Sequence, residues 1–468
     1  MNQYSQLDHI LRKIMSDWSI PGLEVSIVEN GEITYLRGFG LQSLLTHAPI
    51  TTESVFCIAS VSKCFVACAI MQLVEQGKLQ LDTPLVHYLP DFRLDDERFI
   101  QITLRQMLSH TSGMPDMDEL EYNELLAHPE YDEAALERYV HSLAGRKMIA
   151  APGERFAYSN IAYNVLGHLI ARTSGRTFED HMKENILRPA GMTESTFYFP
   201  EVDRDRLAVP HLRIPTMSVH PIYPYNRVDA PASFLHATLM DMCRWAITCM
   251  QDVDFKRGQL LSPASYDLMW SPVAEWGYPP LYEHTGLGWT LGHYDGMKTV
   301  SHGGMGLGWG HFLVLLPEKK CATVILCNAE SSARSRIVRA ALNIIMDKEP
   351  SVGPVSWIVP ISQAFEEGGP QAAHTRYHEI KDSPEYYFDG GELVNLAIQL
   401  CSAQKIDLAI DVLEFNLQVY PQHLDSLLFL AKLFLQKGQS SRAITAIQSV
   451  PEIDPNNVNA KWMLQGNA

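Results

Sequence analysis

Several things are missing from this 468-residue chain, and each absence narrows what it can be. Its 8 cysteines contain no C-x-x-C pair, which excludes the common zinc-ribbon and dithiol redox motifs. Cys57, Cys64, Cys68, Cys243, Cys249, Cys321, Cys327 and Cys401 fall mainly inside predicted helices and strands. Buried free thiols in a reducing cytoplasm are therefore expected. The 18 histidines show no H-E-x-x-H or similar ligand spacing, so neither a catalytic metal nor a cofactor is expected. No stretch reaches the roughly 18 apolar residues of a membrane span. The start, M-N-Q-Y-S-Q-L-D-H-I, lacks the basic segment and hydrophobic core of a secretory signal. The expectation is a cytoplasmic protein with no membrane partner. Positive charge is also scarce: 37 Lys plus Arg against 54 Asp plus Glu leave a formal charge of -17. Such a surface repels phosphate backbones, so nucleic acid is excluded as a partner, and the excess charge serves solubility.

What is present is ample apolar material, 46% of residues, in a chain too long for one ordinary domain. Residues 56–65 read F-C-I-A-S-V-S-K-C-F, placing Ser60 three positions before Lys63 at the start of the apolar run Val66, Ile70, Leu73 and Val74. Residues three apart share a helix face, so the hydroxyl and the amine fall within hydrogen-bond reach. A serine hydroxyl is a poor nucleophile and a lysine amine is normally protonated. Burial favours the neutral amine, whose lone pair then accepts the hydroxyl proton. A second S-x-x-K, Ser402 to Lys405, lies in a helical region far downstream and reads as a chance copy.

The first copy has company. Tyr158-Ser159-Asn160 follows it, and then His302-Gly303-Gly304. Further segments are I-T-L-R-Q-M-L-S-H-T-S-G at 102–113 with Met114-Pro115, P-G-E-R-F-A-Y-S-N at 152–160, P-A-G-M at 189–192 and D-M-C-R-W at 241–245. In this order they resemble the serine beta-lactamase and penicillin-binding-protein superfamily, in its class C beta-lactamase, esterase and D-aminopeptidase branch, over residues 5–345.

Asn30-Gly31 between two apolar runs signals a hairpin, and 311–316 with 321–326 signals another. Between them, 63–76, 104–109, 131–144, 161–173 and 177–186 carry helical periodicity. Strands at both ends with helices between predict an α/β (α+β) fold: an antiparallel sheet completed by both chain ends, with an inserted helical subdomain. The resemblance implies the same architecture, with the site in the cleft between its parts. After Pro350 the character changes. Leu393, Leu396, Ala397, Leu400, Ala409, Leu413 and Pro421 recur 34 residues later as Leu427, Leu430, Ala431, Phe434, Ala443, Ile447 and Pro455, and a third start keeps Leu464 in register with Trp462 one place out. This period resembles the tetratricopeptide repeat. The expected division is a hydrolase-like domain at 1–350 and an all-α repeat domain at 351–468. Residues 356–387 are expected to add a helical hairpin or to dock the array, and Pro451 to shorten or bend the second repeat's last helix.

The resemblance implies Ser60 as nucleophile, Lys63 as its partner, and Tyr158 as a proton shuttle between nucleophile, leaving group and water. A phenol near pKa ~10 is too basic for this unless a neighbouring Lys63 cation favours the phenolate, which would make the two titrate together. Asn160 offers an amide to orient a substrate carbonyl or Lys63, or else caps the following helix. His302 stands where many relatives carry the lysine of K-[ST]-G and would give a weaker, switchable positive charge. Gly303 and Gly304 supply no hydroxyl, which argues against carboxylate binding of the beta-lactamase kind. They let the backbone approach the substrate, with the N–H groups of Ser60 and Met305 as an oxyanion hole. His110 reads as structural. The implied activity is a serine hydrolase acting through an acyl-enzyme on a small ester or amide. Acyl transfer, a D-amino-acid peptidase, a true beta-lactamase, or an interaction protein with a vestigial site are the alternatives. The repeats would bind a protein partner, self-associate, or cap the catalytic domain.

Overall fold

A computed structural model of the chain describes residues 3–250 and 259–453. The chain forms two compact units. The first takes in 1–12, 21–210 and 222–351, and the second 13–20, 211–221 and 352–468.

The centre of the first unit is an eight-stranded sheet of β1 (Gly22–Glu29), β2 (Glu32–Gly40), β3 (Ala274–Tyr278), β4 (Tyr282–Thr285), β5 (Thr290–Tyr294), β6 (Met297–Gly306), β7 (Trp309–Leu316) and β8 (Cys321–Cys327). Their order across the sheet is β2-β1-β8-β7-β6-β5-β4-β3, so the first hairpin joins the last strand. Every pairing is antiparallel; Val25 lies opposite Ile325, and His302 opposite Leu313. The β1–β2 turn has Asn30 at φ 52° and Gly31 at φ 80°, the left-handed pair a tight two-residue hairpin needs. Strands β3 to β6 had not been legible as strands, because they are short or broken by glycine and polar residues.

Against this sheet lie α4 (Leu239–Met250), α5 (Arg334–Ile345) and residues 3–12 of α1 (Gln3–Trp18), whose Tyr4 and Asp8 hydrogen-bond to Glu29 and Tyr35. The helical part is built on α2 (Ser62–Glu75) and α3 (Asn160–Ser174), both apolar on nearly every side and buried accordingly. Phe65 of α2 stacks on Trp245 of α4 with ring centroids 3.9 Å apart, and each such buried aromatic contributes roughly 1.5–3 kcal/mol. The eight cysteines are all buried and free. The helix expected at 131–144 is shorter, Ala135–Ser142, and ends in a 3₁₀ turn at Leu143–Gly145.

In the second unit helices start at Gly390 and Leu424, and at Ile406 and Ser440, each pair 34 residues apart. The repeated positions Leu393, Leu396, Ala397 and Leu400 are buried, as are Leu427, Leu430, Ala431 and Phe434. Ile358–Ile380 is two helical pieces, interrupted at Gly368 and at Gly369 with φ 65°, so this stretch is a helical pair. The last full helix stops at Gln448 and a short one, Val450–Ile453, follows, which is the break a proline at 451 imposes. Pro455, Trp462 and Leu464 lie outside the described residues. Of the second S-x-x-K, Ser402 Oγ donates to Ile398 O at 3.2 Å and Lys405 Nζ to Ile214 O at 2.8 Å. Among the described residues no helix is long and apolar enough to cross a membrane.

Candidate active site

Ser60 sits just ahead of α2, in a 3₁₀ turn spanning Ala59–Val61. Lys63 follows in the first turn of α2, three residues on, which puts its side chain on the same side as that of Ser60. Ala59 holds φ 48°, a strained left-handed value for a residue with a Cβ. The strain is held by neighbours: Ser62 Oγ donates to Ala59 O at 2.6 Å and accepts from Leu235 N at 3.0 Å, while Ile58 N donates to Leu235 O at 2.8 Å. β6 closes on the turn from the other side. A Cβ on Gly304 would lie 2.4 Å from Ile58 O, so only glycine lets the strand come this close.

The Lys63 amine is buried and has three neighbours: Asn160 Oδ1 at 2.7 Å, Ala232 O at 2.8 Å and Ser60 Oγ at 3.1 Å. Burial lowers its pKa to about 8, against the upward pull of Asp229 and Asp116. The ammonium also lies 5.0 Å above the Tyr158 ring and 5.5 Å from that of Tyr163. Asn160 is the first residue of α3, but the helix cap is Ser159, whose hydroxyl accepts from Ala162 N at 3.1 Å. The Asn160 amide is thus free of capping, and its Oδ1 binds Lys63.

Two expectations need correction. Tyr158 is pushed well above the usual phenol range, because desolvation outweighs the nearby Ser60 hydroxyl, so it stays a phenol. Its ring stacks on His110 at 4.1 Å, and His110 Nδ1 accepts from Ser159 N at 3.1 Å. His110 therefore serves as the wall behind Tyr158. His302 is buried, and burial, with Lys63 nearby, drops its pKa to about 3. Its Nδ1 lies 2.8 Å from Gly303 O. Since a carbonyl only accepts, Nδ1 carries the proton and the neutral ring turns an Nε2 lone pair outward. His302 therefore supplies no switchable positive charge near neutral pH.

A cavity of about 440 Å³ opens over Ser60, lined by Tyr158, His302, Gly303 and Met305 together with Trp276, Tyr278, Tyr282 and Arg334. The structure thus brings Ser60, Lys63, Tyr158, Asn160, His302, Gly303, Gly304 and Met305 into one region. Sequence reasoning missed Asp116, Asp229, Tyr282 and Arg334. Asp116 follows the S-G-M-P segment and binds Asn160. Asp229 is fully buried and accepts from Tyr122 Oη at 2.7 Å and Asn164 Nδ2 at 2.8 Å. No short-range spacing marks Asp229, Tyr282 or Arg334, whereas Asp116 is marked only by its place after that segment. No cluster of three or more His, Cys, Asp or Glu side chains placed to hold a metal occurs among the described residues.

An antiparallel sheet flanked by helices, with a serine and a buried lysine at the foot of an aromatic cavity, defines a beta-lactamase-fold protein of the serine hydrolase class. The Beta-lactamase family model matches residues 7–345, and the chain belongs to that family. A tetratricopeptide-repeat model matches residues 400–468. The chain is 27% identical over 395 residues to the unguisins hydrolase of Aspergillus campestris (strain IBT 28561), covering 79% of this chain and 71% of the relative. It is 27% identical over 324 residues to penicillin-binding protein 4 of Amycolatopsis lactamdurans, covering 67% and 82%. The octameric penicillin-binding protein homologue from Pyrococcus abyssi shares the fold, with a TM-score of 0.64 at 24% identity over 78% of this chain and 81% of that one.

Proposed function

We propose that the chain hydrolyses a small ester or amide through an acyl-enzyme on Ser60. The observation that carries this is the arrangement around Lys63. Two fixed acceptors, Asn160 Oδ1 and Ala232 O, lie closer to Nζ than Ser60 Oγ does. A neutral amine gives its two N–H groups to those acceptors and is left with its lone pair facing Ser60. With a pKa near 8, that form is accessible close to neutral pH. Lys63 then takes the Ser60 proton as Oγ attacks the carbonyl carbon. The N–H groups of Ser60 and Met305 hold the developing oxyanion. Tyr158, kept protonated by its burial, donates its proton to the leaving group and recovers the proton that Lys63 took from Ser60. Water repeats the sequence on the ester to free the acid.

Hydrolysis is favoured over acyl transfer by the name of the unguisins hydrolase relative. The missing hydroxyl at Gly303 argues against beta-lactamase or D-amino-acid peptidase specificity. The repeats are read as a surface for a protein partner or for self-association.

Incubation with p-nitrophenyl butyrate, with and without an added alcohol or amine, tests the reading. Butyric acid as the sole acyl product in both, beside p-nitrophenol, supports hydrolysis. Butyrate recovered as a new ester or amide makes the protein an acyltransferase, and no turnover by folded protein contradicts both.

A further inference from the structure

The turn that carries Ala232 is held by more than its contact with Lys63 requires. Ala232 lies in the buried one-turn helix Ala230–Ser233, and its carbonyl is one of the two acceptors that fix the Lys63 amine. Asp229 immediately precedes this turn, is itself fully buried, and takes no part in the hydrolytic steps. Its Oδ2 accepts from Tyr122 Oη at 2.7 Å and its Oδ1 from Asn164 Nδ2 at 2.8 Å, and the Ser233 hydroxyl at the far end of the turn also bonds it. The carboxylate thus closes the turn across its two ends.

α3 supplies the frame. Asn160, Asn164 and Gly167 fall at i, i+4 and i+7, on one face of that helix. Asn160 meets Lys63, Asn164 meets Asp229, and Gly167 admits the turn itself, since a Cβ there would lie 2.2 Å from Pro231 Cγ. Tyr122 comes from the helix Glu119–Ala127, shortly after Asp116 in the chain. Each of the two acceptors around Lys63 is therefore backed by its own aspartate, Asn160 by Asp116 and Ala232 by Asp229.

The groups facing the Asp229 carboxylate are Lys63, Tyr122, Asp116, Cys57, Tyr139 and Tyr158. Burial keeps the phenols and the thiol protonated, so Lys63 is the one group among these that becomes cationic. Lys63 in turn also faces Cys64, His110, His302 and Tyr163, and burial keeps the two imidazoles neutral. A carboxylate with donors on both oxygens therefore favours the protonated form of Lys63 over the neutral one.

We propose that Asp229 is a positioning residue for Lys63: it fixes the turn that offers Ala232 O, and its charge matches the ammonium formed when Lys63 takes the Ser60 proton. The proton passes from Ser60 Oγ to Lys63 Nζ, and Asp229 accepts none. The inference rests on the reading of Ser60 as the nucleophile and Lys63 as its base.

The pH dependence of kcat/KM for p-nitrophenyl butyrate, on wild type and Asp229→Asn, tests it. Asparagine keeps the shape and removes the charge. Lys63 relieved of that charge is a weaker base, so its inflection should move down by about one pH unit or more, and the plateau should fall roughly 10- to 100-fold. A residue that served only the fold would lower the plateau and leave the inflection in place. That result, or an unchanged profile, overturns the inference. Tyr122→Phe keeps the charge and removes one donor, so kcat should fall by a smaller factor with KM and the inflection nearly unchanged. This variant decides the matter if Asp229→Asn does not fold: wild-type kcat, or a change confined to KM, overturns the inference. Fluorophosphonate labelling separates the two levels. Labelled Ser60 with an unmoved inflection in Asp229→Asn overturns the role of Asp229 alone, whereas unlabelled Ser60 in folded wild type overturns the nucleophile as well.

Discussion

Asp116 binds Asn160 at two points: Oδ1 accepts from the Asn160 backbone N–H at 3.0 Å and Oδ2 from Nδ2 at 2.9 Å. An ionised carboxylate only accepts, so this pair fixes which way the amide faces and turns Oδ1, not Nδ2, toward Lys63. Asp116 acts on the reacting groups through Asn160, as a positioning residue. The groups facing it are Lys63, Asp229, Tyr158 and Tyr139, and burial raises its own pKa to about 6.

The pH profile of Asp116→Asn follows from this. With neutral Lys63 as the base, wild-type kcat/KM rises as pH increases through about 8. Removing the Asp116 charge removes one of the pulls that raise the Lys63 pKa, so the inflection should move to lower pH. The plateau should also fall, because the amide is free to turn. A pH–rate profile checks both, and an inflection that stays put or moves upward contradicts the account.

Glu24 gives a stability prediction. It lies fully buried on β1, and neither carboxylate oxygen has a hydrogen-bond partner among the described residues. Burial holds its pKa well above the ordinary value of 4.5. The unfolded chain ionises above that value while the folded chain stays protonated, so stability is lost as pH rises, by up to about 1.4 kcal/mol per pH unit. Glu24→Gln removes this dependence. Its Tm should exceed that of wild type by more at pH 8 than at pH 5; equal differences at the two pH values would contradict the assignment.

Truncation before residue 352 should not yield a well-behaved enzyme. Residues 13–20 and 211–221 belong to the same compact unit as 352–468. Within that unit the buried Arg213 donates to Trp18 O at 2.9 Å, and Gln399 Oε1 accepts from its backbone N–H at 2.6 Å. Removing 352–468 exposes these groups and takes away Gln399 as the partner of the Arg213 backbone N–H, a loss of about 1–3 kcal/mol. The expected result is a lower Tm or an insoluble product, read from the soluble fraction and a thermal melt. A truncated protein as stable as the full chain would contradict it.

Legibility in the sequence followed the range of the interaction. Ser60 and Lys63 are three residues apart, and Asn30-Gly31 is a two-residue turn, so each announces itself locally. The 34-residue repeat was visible because the same small and apolar positions recur. Arg334 and Tyr282 reach the site from elements far along the chain from Ser60, and nothing adjacent to them marks that meeting. The charge states of Tyr158 and His302 depended on desolvation by the whole cavity wall, which spacing does not encode. The segments 13–20 and 211–221 carry no repeat signature, so their membership in the second unit shows only in the folded chain.

The most direct test of the central claim is intact-mass analysis after incubation with a fluorophosphonate, on wild type and Ser60→Ala side by side. Ser60 is half-buried at a turn and open to the cavity, so the substitution should leave Tm nearly unchanged. The account predicts a single adduct on wild type, none on Ser60→Ala, and loss of ester turnover in that variant. An adduct of equal yield on folded Ser60→Ala would place the nucleophile elsewhere. No adduct on folded wild type would leave the chain without a working hydrolytic site.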